Sequence, residues 1–331
     1  MLKVLRHRLE RALTRLALHW VPRWSRQTVC RVARILGHWA ATWPLYSRHV
    51  ARANLDLAYG DQLTAREKKR LRRTAYQTFA LVLLDIFWFT RDTRARVQQW
   101  VQFDEGLAAE LFQPRRHVCV TAHLGNWELL GHAVSLRGYP LHSVAAPLVN
   151  PSVEPYFART RIVSGQVIIP QSGAIRQLLR LLKQEAKIGL LLDQNTKPSR
   201  GGRFVDFFGL PAPVSEAGAL LAIQMQADIL FGFCIPGRDG RYRVHSAAPI
   251  RPGATEFEGM TKEEQATQLT QRIATTIESA IRQHPGAWLW MYKRWKYVAP
   301  GRSRAEYPFY AKPRQRPPLG GITRYLRRPT G

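Results

Sequence analysis

His123 and Glu128 are two residues whose types and spacing in this sequence suggest chemistry. A carboxylate bonded to one imidazole nitrogen fixes the tautomer of the ring, and the other nitrogen can then take a proton from a hydroxyl group. On a continuous helix, five positions would separate the two side chains by about 140°, so the chain must bend between them. Such pairs also occur by chance, and a purely structural histidine is the alternative.

Gly125 and Asn126 favour this bend. Glycine adopts backbone conformations that other residues avoid, and asparagine is a favoured N-cap at the start of a helix. A helix would then begin at Trp127, with Glu128 in a first turn where the helix dipole stabilises a carboxylate. We expect this turn to direct Glu128 back towards His123.

A strand has to lead into this turn, and residues 117–122 have a β-prone composition. Short apolar runs at 188–192 and 229–235 alternate with helix-like stretches at 174–184 and 217–226. Strands interleaved with helices indicate an α/β fold. We predict an N-terminal helical region followed by a mixed central sheet flanked by helices.

The first residues of the chain have the pattern of a basic amphipathic helix. Apolar residues recur at three or four positions while arginines fill the remaining faces; the apolar positions are Leu2, Leu5, Leu9, Leu13, Leu16 and Trp20. With further tryptophans at Trp39 and Trp43, this pattern suits an interface with anionic lipid. Packing of the same helices on the protein's own core is the alternative.

Basic residues dominate the composition, with 50 Lys and Arg against 23 Asp and Glu and a net charge of +27. The excess lies in two arms, since residues 1–73 hold 17 basic and 4 acidic residues and residues 293–331 hold 11 and 1. This charge predicts an anionic partner. No nucleic-acid-binding motif accompanies it, so we predict a membrane surface and no nucleic acid. A basic, non-catalytic membrane- or nucleic-acid-binding protein is the alternative of another class.

The 331 residues, 45% of them hydrophobic, are enough for a sizeable core. No stretch reaches the roughly 18 apolar residues of a membrane-spanning helix. The three cysteines lack paired spacing and fit a reducing, cytoplasmic setting. We find neither a phosphate-binding glycine-rich loop nor a metal-ligand cluster, and therefore expect no metal and no cofactor.

The segment from Thr121 to Glu128, with the spacing HX4E, resembles the active-site motif of the bacterial lipid A biosynthesis acyltransferases, within the glycerolipid acyltransferase superfamily. Further landmarks of that family follow in order: Asp193-Gln194 after an apolar strand, Phe204 to Gly209, Pro285 to Trp290, and Arg294 to Lys296. The resemblance covers residues 5–298.

This resemblance implies transfer of a fatty acyl chain from a thioester, on acyl carrier protein or coenzyme A, to a hydroxyl of an anionic glycolipid. It implies His123 as the general base and Glu128 as the residue that orients it. A lipid A precursor is the expected acceptor; a lysophospholipid and a phosphatidylinositol mannoside-type glycolipid are alternatives. The expected location is the cytoplasmic face of the bacterial inner membrane, with peripheral attachment.

Several residues are candidates for substrate binding. The resemblance places a basic residue near the substrate phosphate or the reaction centre, and Arg161 is the best positional match, with Arg159 the close competitor. Asp193, Gln194 and Asn126 are further candidates, although a carboxylate at a strand end also caps loops. Three aromatic residues are expected either to line an acyl-chain groove or to pack in the core; they are Phe204, Phe207 and Phe208.

The predicted organisation has three parts. Residues 1–95 form a helical, membrane-associating region, and residues 96–298 form the α/β acyltransferase domain. Residues 299–331 form a basic tail rich in proline and arginine, which is expected to be extended or partly disordered.

Overall fold

The computed structural model describes residues 2–145, 161–253 and 257–312, and side chains from residue 5 onward. Four helices open the chain: α1, Leu2–Trp20; α2, Arg26–Thr42; α3, Tyr46–Tyr59; and α4, Ala65–Trp88. Ser25 caps α2, and Thr64 forms a capping box at the start of α4. These side chains satisfy backbone N–H groups that have no partner within the helix.

A seven-stranded mixed sheet forms the centre of the fold. In chain order the strands are β1, Val101–Gln102; β2, His117–Thr121; β3, Leu141–Ala145; β4, Val167–Pro170; β5, Lys187–Leu191; β6, Gly202–Phe207; β7, Leu210–Ser215; β8, Asp228–Pro236; and β9, Tyr242–Ile250. The large sheet has the order β1-β9-β8-β2-β5-β3-β4, while β6 and β7 form a separate antiparallel pair. Within the large sheet only the β8–β9 pair is antiparallel.

Helices cover both faces of this sheet. They are α5, Thr93–Trp100; α6, Glu105–Phe112; α7, Trp127–Ser135; α8, Ala174–Lys183; α9, Ala217–Met225; and α10, Lys262–Gln283. Successive residues of a strand point to opposite faces: Ile229 and Phe231 of β8 join a core with α8, α9 and α10, whereas Leu230 joins one with α6 and α7. The predicted α/β fold, with N-terminal helices and a mixed sheet flanked by helices, is confirmed.

The N-terminal helices keep an apolar surface uncovered. In α2, a face that includes Val29 and Ala33 is buried, and Gly37 lies so close to Gln77 of α4 that an added Cβ would be 2.4 Å from its Cα. Large apolar side chains on the other faces of α1 and α2, and at the C-cap of α2, are at least half exposed: Leu5, Leu9, Leu13, Leu16, Trp20, Ile35, Leu36, Trp39 and the C-cap Trp43. Among the described residues, no helix has the length and hydropathy needed to cross a membrane.

The first part of the predicted tail packs on the protein, contrary to the expectation for residues 299–331. Tyr307 and Tyr310 are buried. The Tyr307 hydroxyl donates to the carbonyl of Pro211 at 2.9 Å, and the Tyr310 hydroxyl donates to Asn54. Aromatic side chains at these two positions anchor a segment whose charge and proline content suggested an extended chain. The remainder of the predicted tail, residues 313–331, lies outside the described residues.

Candidate active site

Strand order brings His123 and Asp193 together. His123 comes two residues after β2, Asp193 comes two residues after β5, and these strands are parallel neighbours with Thr121 opposite Leu191. The carboxyl ends of parallel strands meet at one edge of a sheet, where α/β proteins bind their ligands. At this edge His123 Nδ1 lies 2.8 Å from Asp193 Oδ1, and the backbone N–H of His123 donates to Oδ2 at 3.1 Å.

Asp193 is a buried carboxylate with three donors among the residues that the structure describes. Besides the two groups of His123, the indole N–H of Trp288 donates to Oδ2 at 2.9 Å. Burial alone would raise the pKa of Asp193, but the imidazole and the three hydrogen bonds outweigh it and lower the pKa. An ionised carboxylate only accepts hydrogen bonds, so Nδ1 of His123 is the donor and Nε2 carries the lone pair.

The imidazole of His123 is partly exposed, and its Nε2 side meets Gln194. The side chain is 18% exposed. The ring of Trp127 packs against the imidazole with centroids 4.6 Å apart, and Nε2 of Gln194 lies 3.2 Å from Nε2 of His123. Gln194 thus contacts the nitrogen that would act as the base. Its role in substrate binding stays a prediction.

The carboxylate that meets the imidazole is Asp193, and this corrects the expected contact between Glu128 and His123. Both oxygens of Glu128 instead accept hydrogen bonds from Arg161, whose Nη2 lies 2.9 and 3.1 Å away and whose Nε lies 3.3 Å from Oε2. The five-residue spacing of the motif could indicate only a partner within the local turn. Asp193 lies 70 positions further along the chain and reaches Nδ1 because β2 and β5 are neighbours.

The predicted turn itself is present. Gly125 has φ +68°, and a Cβ built on it would lie 2.1 Å from the carbonyl oxygen of Cys234. Its N–H donates to the carbonyl of Ala287, and the N–H of Leu289 donates to the carbonyl of His123. Only glycine fits this close approach at a positive φ. The segment at 285–289 therefore fastens the catalytic turn from outside.

Asn126 caps α7 as expected, since its Oδ1 accepts from the N–H of Leu129 at 3.0 Å. The side chain is 2% exposed, and its Nδ2 lies 3.4 Å from the hydroxyl of Tyr242 and 3.5 Å from Asp85. Asp85 in turn forms a buried ion pair with Arg26 of α2. The interpretation of Asn126 as a substrate-binding residue is therefore wrong, because the protein itself uses the cap and the amide.

Glu128 and Arg161 form a partly exposed pair, with side chains 26% and 14% exposed. The backbone near Arg161 is held through Ser164, whose hydroxyl donates to the carbonyl of Arg161 at 2.8 Å and lies 2.7 Å from Nδ1 of His132. Burial lowers the pKa of His132 to about 4, so this imidazole is neutral at pH 7. Arg159, the competing candidate, lies outside the described residues.

The phenylalanines proposed for an acyl-chain groove belong to the core. Phe207 and Phe208 are 1% and 5% exposed and pack against Trp288 and Trp295. Phe204 is half-buried against the same cluster. The hairpin of β6 and β7 turns these rings towards the tryptophans that follow α10, so the groove expected at this position is absent from the described structure.

An apolar cavity that the sequence did not reveal lies between the sheet and helices α6 and α7. It contains about 690 Å³ of space not filled by protein atoms, part of it open to solvent, and its walls include Leu111, Val134 and Leu230. The Glu128–Arg161 pair lines it too. Glycines at 131, 189 and 232 are among its lining residues. Glycine inside a strand, as at 189 and 232, marks such sites and was the available signal.

The fold and the site together define an α/β enzyme with a histidine–carboxylate pair at the carboxyl edge of a mixed sheet, next to an apolar cavity. The sequence matches the family described as bacterial lipid A biosynthesis acyltransferase over residues 12–297, so the chain belongs to this family and is an acyltransferase. The resemblance inferred from its motifs is confirmed.

Two relatives illustrate the range of this similarity. The chain is 25% identical over 280 residues to a lipid A biosynthesis palmitoleoyltransferase of Escherichia coli, an alignment that covers 83% of this chain and 87% of that protein. It is 26% identical over 183 residues to a phosphatidylinositol mannoside acyltransferase of Mycobacterium tuberculosis, covering 54% of each chain. Both relatives are acyltransferases by name.

Proposed function

We propose that this protein transfers a fatty acyl chain from an acyl thioester to a hydroxyl group of a lipid A precursor or related glycolipid. The observation that carries the proposal is the contact between His123 Nδ1 and the ionised Asp193, on an imidazole that is 18% exposed. Membership of the acyltransferase family supplies the reaction class.

In the proposed mechanism, Nε2 of His123 takes the proton of the acceptor hydroxyl while the hydroxyl oxygen attacks the thioester carbonyl. The tetrahedral intermediate then collapses, the carbon–sulfur bond breaks, and the imidazolium returns its proton to the departing thiolate. Asp193 holds the ring in the Nδ1–H tautomer and stabilises the imidazolium without being protonated. No covalent intermediate on the enzyme is needed.

Glu128 receives a different role from the one expected from the motif. Both oxygens of its carboxylate accept hydrogen bonds from Arg161. We therefore propose that Glu128 holds the guanidinium of Arg161 near the apolar cavity. Nη1 of Arg161 has no hydrogen bond within the described part of the chain. This N–H group is positioned to bind a carbonyl oxygen or a phosphate of the substrate, interactions for which a guanidinium is well suited.

The apolar cavity is assigned to the acyl chain. Its walls are mostly aliphatic, and they include Thr121 and Trp127, which lie on either side of His123 in the sequence. Transfer of each methylene from water into such a cavity stabilises the complex by about 0.8 kcal/mol. A bound chain would therefore hold the thioester carbonyl near the base. The cavity replaces the groove expected around Phe204.

A lipid A precursor is the leading acceptor because the match to the lipid A palmitoleoyltransferase covers most of both chains. A phosphatidylinositol mannoside-type glycolipid is the second candidate, supported by the shorter match to the mycobacterial enzyme; a lysophospholipid remains a further alternative. Acyl carrier protein is the proposed donor, since an acidic protein suits a net charge of +27, and acyl-CoA is the alternative.

We place the protein on the cytoplasmic face of the bacterial inner membrane, attached peripherally. The exposed leucines and tryptophans of α1 and α2 alternate with arginines, a combination that binds an anionic lipid surface. Deletion of residues 1–20 is expected to weaken co-sedimentation with anionic liposomes. Unchanged co-sedimentation would show that attachment lies elsewhere.

The test of the reaction is acyl transfer from labelled acyl carrier protein and labelled acyl-CoA to a panel of lipid A precursor, phosphoglycolipid and lysophospholipid acceptors. We expect product on a glycolipid with the wild-type protein and loss of most product with His123→Ala. A folded wild-type protein that acylates none of these acceptors would contradict the proposed substrate class. Near-normal turnover by His123→Ala would contradict the assignment of the base.

A further inference from the structure

A second cavity lies on the other side of the catalytic edge from the apolar one. Its floor is formed by apolar residues of α8 and β5, including Leu178 and Leu190. It contains about 1400 Å³ of space not filled by protein atoms, part of it open to solvent. Leu192 and Asn195, which directly precede and follow Asp193-Gln194 in the sequence, both line this cavity. The cavity therefore lies next to the segment that carries Asp193.

The two cavities meet at the ends of the strands. Val144 of β3 and Leu191 of β5 line both of them. The two cavities are therefore neighbours at the edge of the sheet that carries His123 and Asp193. The second cavity is the more polar of the two because Thr196, Ser215 and other hydrogen-bonding side chains belong to its walls.

Three cations line this second cavity: Lys197, Arg200 and Lys296. No acidic residue is among its described lining residues, and none of the three cations has an ion pair or a side-chain hydrogen bond within the described part of the chain. Nearby on β6, Arg203 does pair with a carboxylate, that of Glu216. Like charges that converge on one concave space without a counter-ion favour binding of an anion.

A fourth cation lies behind the cavity wall. Arg294 is completely buried, and its Nη1 donates to Oδ1 of Asn195 at 3.1 Å and to the carbonyl of Pro213 at 3.2 Å. Its Nε and Nη2 have no partner within the described residues. Burial lowers the pKa of Arg294 to about 10, so the guanidinium remains charged at pH 7. Among the described residues no carboxylate is bonded to it, although the charge of Asp193 acts on it, and its hydrogen bond to Asn195 links it to a residue of the cavity wall.

We infer that this second cavity binds a phosphate ester of a substrate of the acyl transfer, with Lys197, Arg200 and Lys296 as its charge partners. The inference rests on the proposed function. A phosphate ester fits because it offers several acceptor oxygens to the cations, while the organic group attached to it contacts the apolar floor. Two substrates carry such a group: the phosphopantetheine arm of the thioester donor and a phosphorylated glycolipid acceptor.

The test compares the full-length wild-type protein with the variant Lys197→Gln/Arg200→Gln/Lys296→Gln. The matched control is Lys69→Gln/Arg70→Gln/Lys262→Gln, which removes the same number and types of charge from exposed positions outside the cavity. Binding of 4′-phosphopantetheine and of glucosamine 1-phosphate is measured by calorimetry at low salt, each beside its phosphate-free form, pantetheine or glucosamine.

We expect the cavity variant to bind one of the two phosphate compounds at least about tenfold more weakly than the wild type, which corresponds to about 1.4 kcal/mol. The control variant and the phosphate-free compounds should show no such difference. Weaker binding of 4′-phosphopantetheine by the cavity variant would assign the cavity to the donor. Weaker binding of glucosamine 1-phosphate by that variant would assign it to the acceptor. In acyl transfer the same variant should raise KM for that substrate with little change in kcat.

Three results would overturn the inference: no binding of either phosphate compound to the wild type, equal binding by wild type and cavity variant, or an equal loss in the control variant. If the triple variant does not fold, the exposed single variants Lys197→Gln and Arg200→Gln decide the question by the same comparison. A wild-type protein that binds a phosphate compound but transfers no acyl group would refute the proposed function alone. Normal transfer with unchanged binding would refute the phosphate subsite alone.

Discussion

Replacing Asp193 by asparagine tests the catalytic geometry most directly, because the change removes a charge and leaves the shape almost unchanged. Oδ2 of Asp193 accepts two N–H groups, from the backbone of His123 and from the indole of Trp288, whereas Nδ1 of the imidazole is the one partner of Oδ1 among the described residues. An asparagine will therefore place its carbonyl oxygen at the Oδ2 position. The reverse orientation would leave two buried N–H donors without acceptors, which costs about 1–3 kcal/mol of folding free energy for each donor.

This orientation directs the asparagine NH2 group at Nδ1 of His123. Nδ1 must then accept a hydrogen bond, so the ring proton moves to Nε2, which no longer has a lone pair for the acceptor hydroxyl. General base catalysis contributes about 10²- to 10⁴-fold to a rate. We expect kcat to fall by a factor in this range, which is about 3–5 kcal/mol in the activation free energy.

The assay combines acyl-transfer kinetics with ¹⁵N NMR of histidine-labelled protein, which distinguishes the two imidazole tautomers. Glu128→Gln is the matched control, because it also neutralises one carboxylate of the site but leaves the Asp193–His123 contact intact. It should keep the Nδ1–H tautomer of His123. Near-normal kcat in Asp193→Asn, or a tautomer change caused by Glu128→Gln instead, would refute the assignment of the orienting carboxylate to Asp193.

Three further predictions concern the turn, the buried histidine and the membrane surface. Gly125→Ala should abolish activity and lower the melting temperature, because the new Cβ would clash with a backbone carbonyl. The control Gly138→Ala also has a positive φ, +99°, but no atom lies within 4 Å of the new Cβ, so it should show only the cost of backbone strain. Equal effects of the two variants would contradict the clash. The pKa of His132 is about 6.5 in the unfolded chain, and burial lowers this pKa to about 4 in the folded protein. Stability should therefore decrease as the pH falls through this window, and His132→Asn should flatten the decrease in urea titrations; an unchanged pH profile would contradict the buried neutral imidazole. The double variant Trp39→Ala/Trp43→Ala should weaken binding to anionic vesicles without lowering the melting temperature, since both rings are more than half exposed. Unchanged vesicle binding would refute the α2 surface as a membrane contact.

The N-terminal helices are joined to the catalytic turn through a buried polar network. Asp85 of α4 pairs with Arg26 of α2, accepts a hydrogen bond from the Tyr242 hydroxyl at 2.5 Å, and lies beside the amide of Asn126. Burial raises the pKa of Asp85, and Arg26 opposes this rise by favouring the charged form. Helix α2, which carries part of the exposed apolar surface, is therefore linked through Asp85 to the residue that caps α7.

Most of the fold could be predicted because it depends on short-range patterns. Strand β2 forms where the apolar run predicts it, and helix α7 begins after the bend at Gly125 and the N-cap at Asn126. Both could be predicted because residue propensity and helix capping act within a few residues. The packing of Tyr307 and Tyr310 could not be predicted in this way. Their partners lie far away in the sequence, and composition alone suggested a tail.

By itself, the sequence determines the bend at Gly125, the N-cap at Asn126 and the position of His123 at the end of a strand, because each follows from local backbone chemistry. Its motifs also determine the family. Tertiary structure alone decides that Asp193 orients the imidazole while Glu128 binds Arg161, and that the phenylalanines fill the core. The physical reason is strand order: residues 70 positions apart become neighbours only when β5 adds in parallel to β2, and no local pattern encodes that pairing.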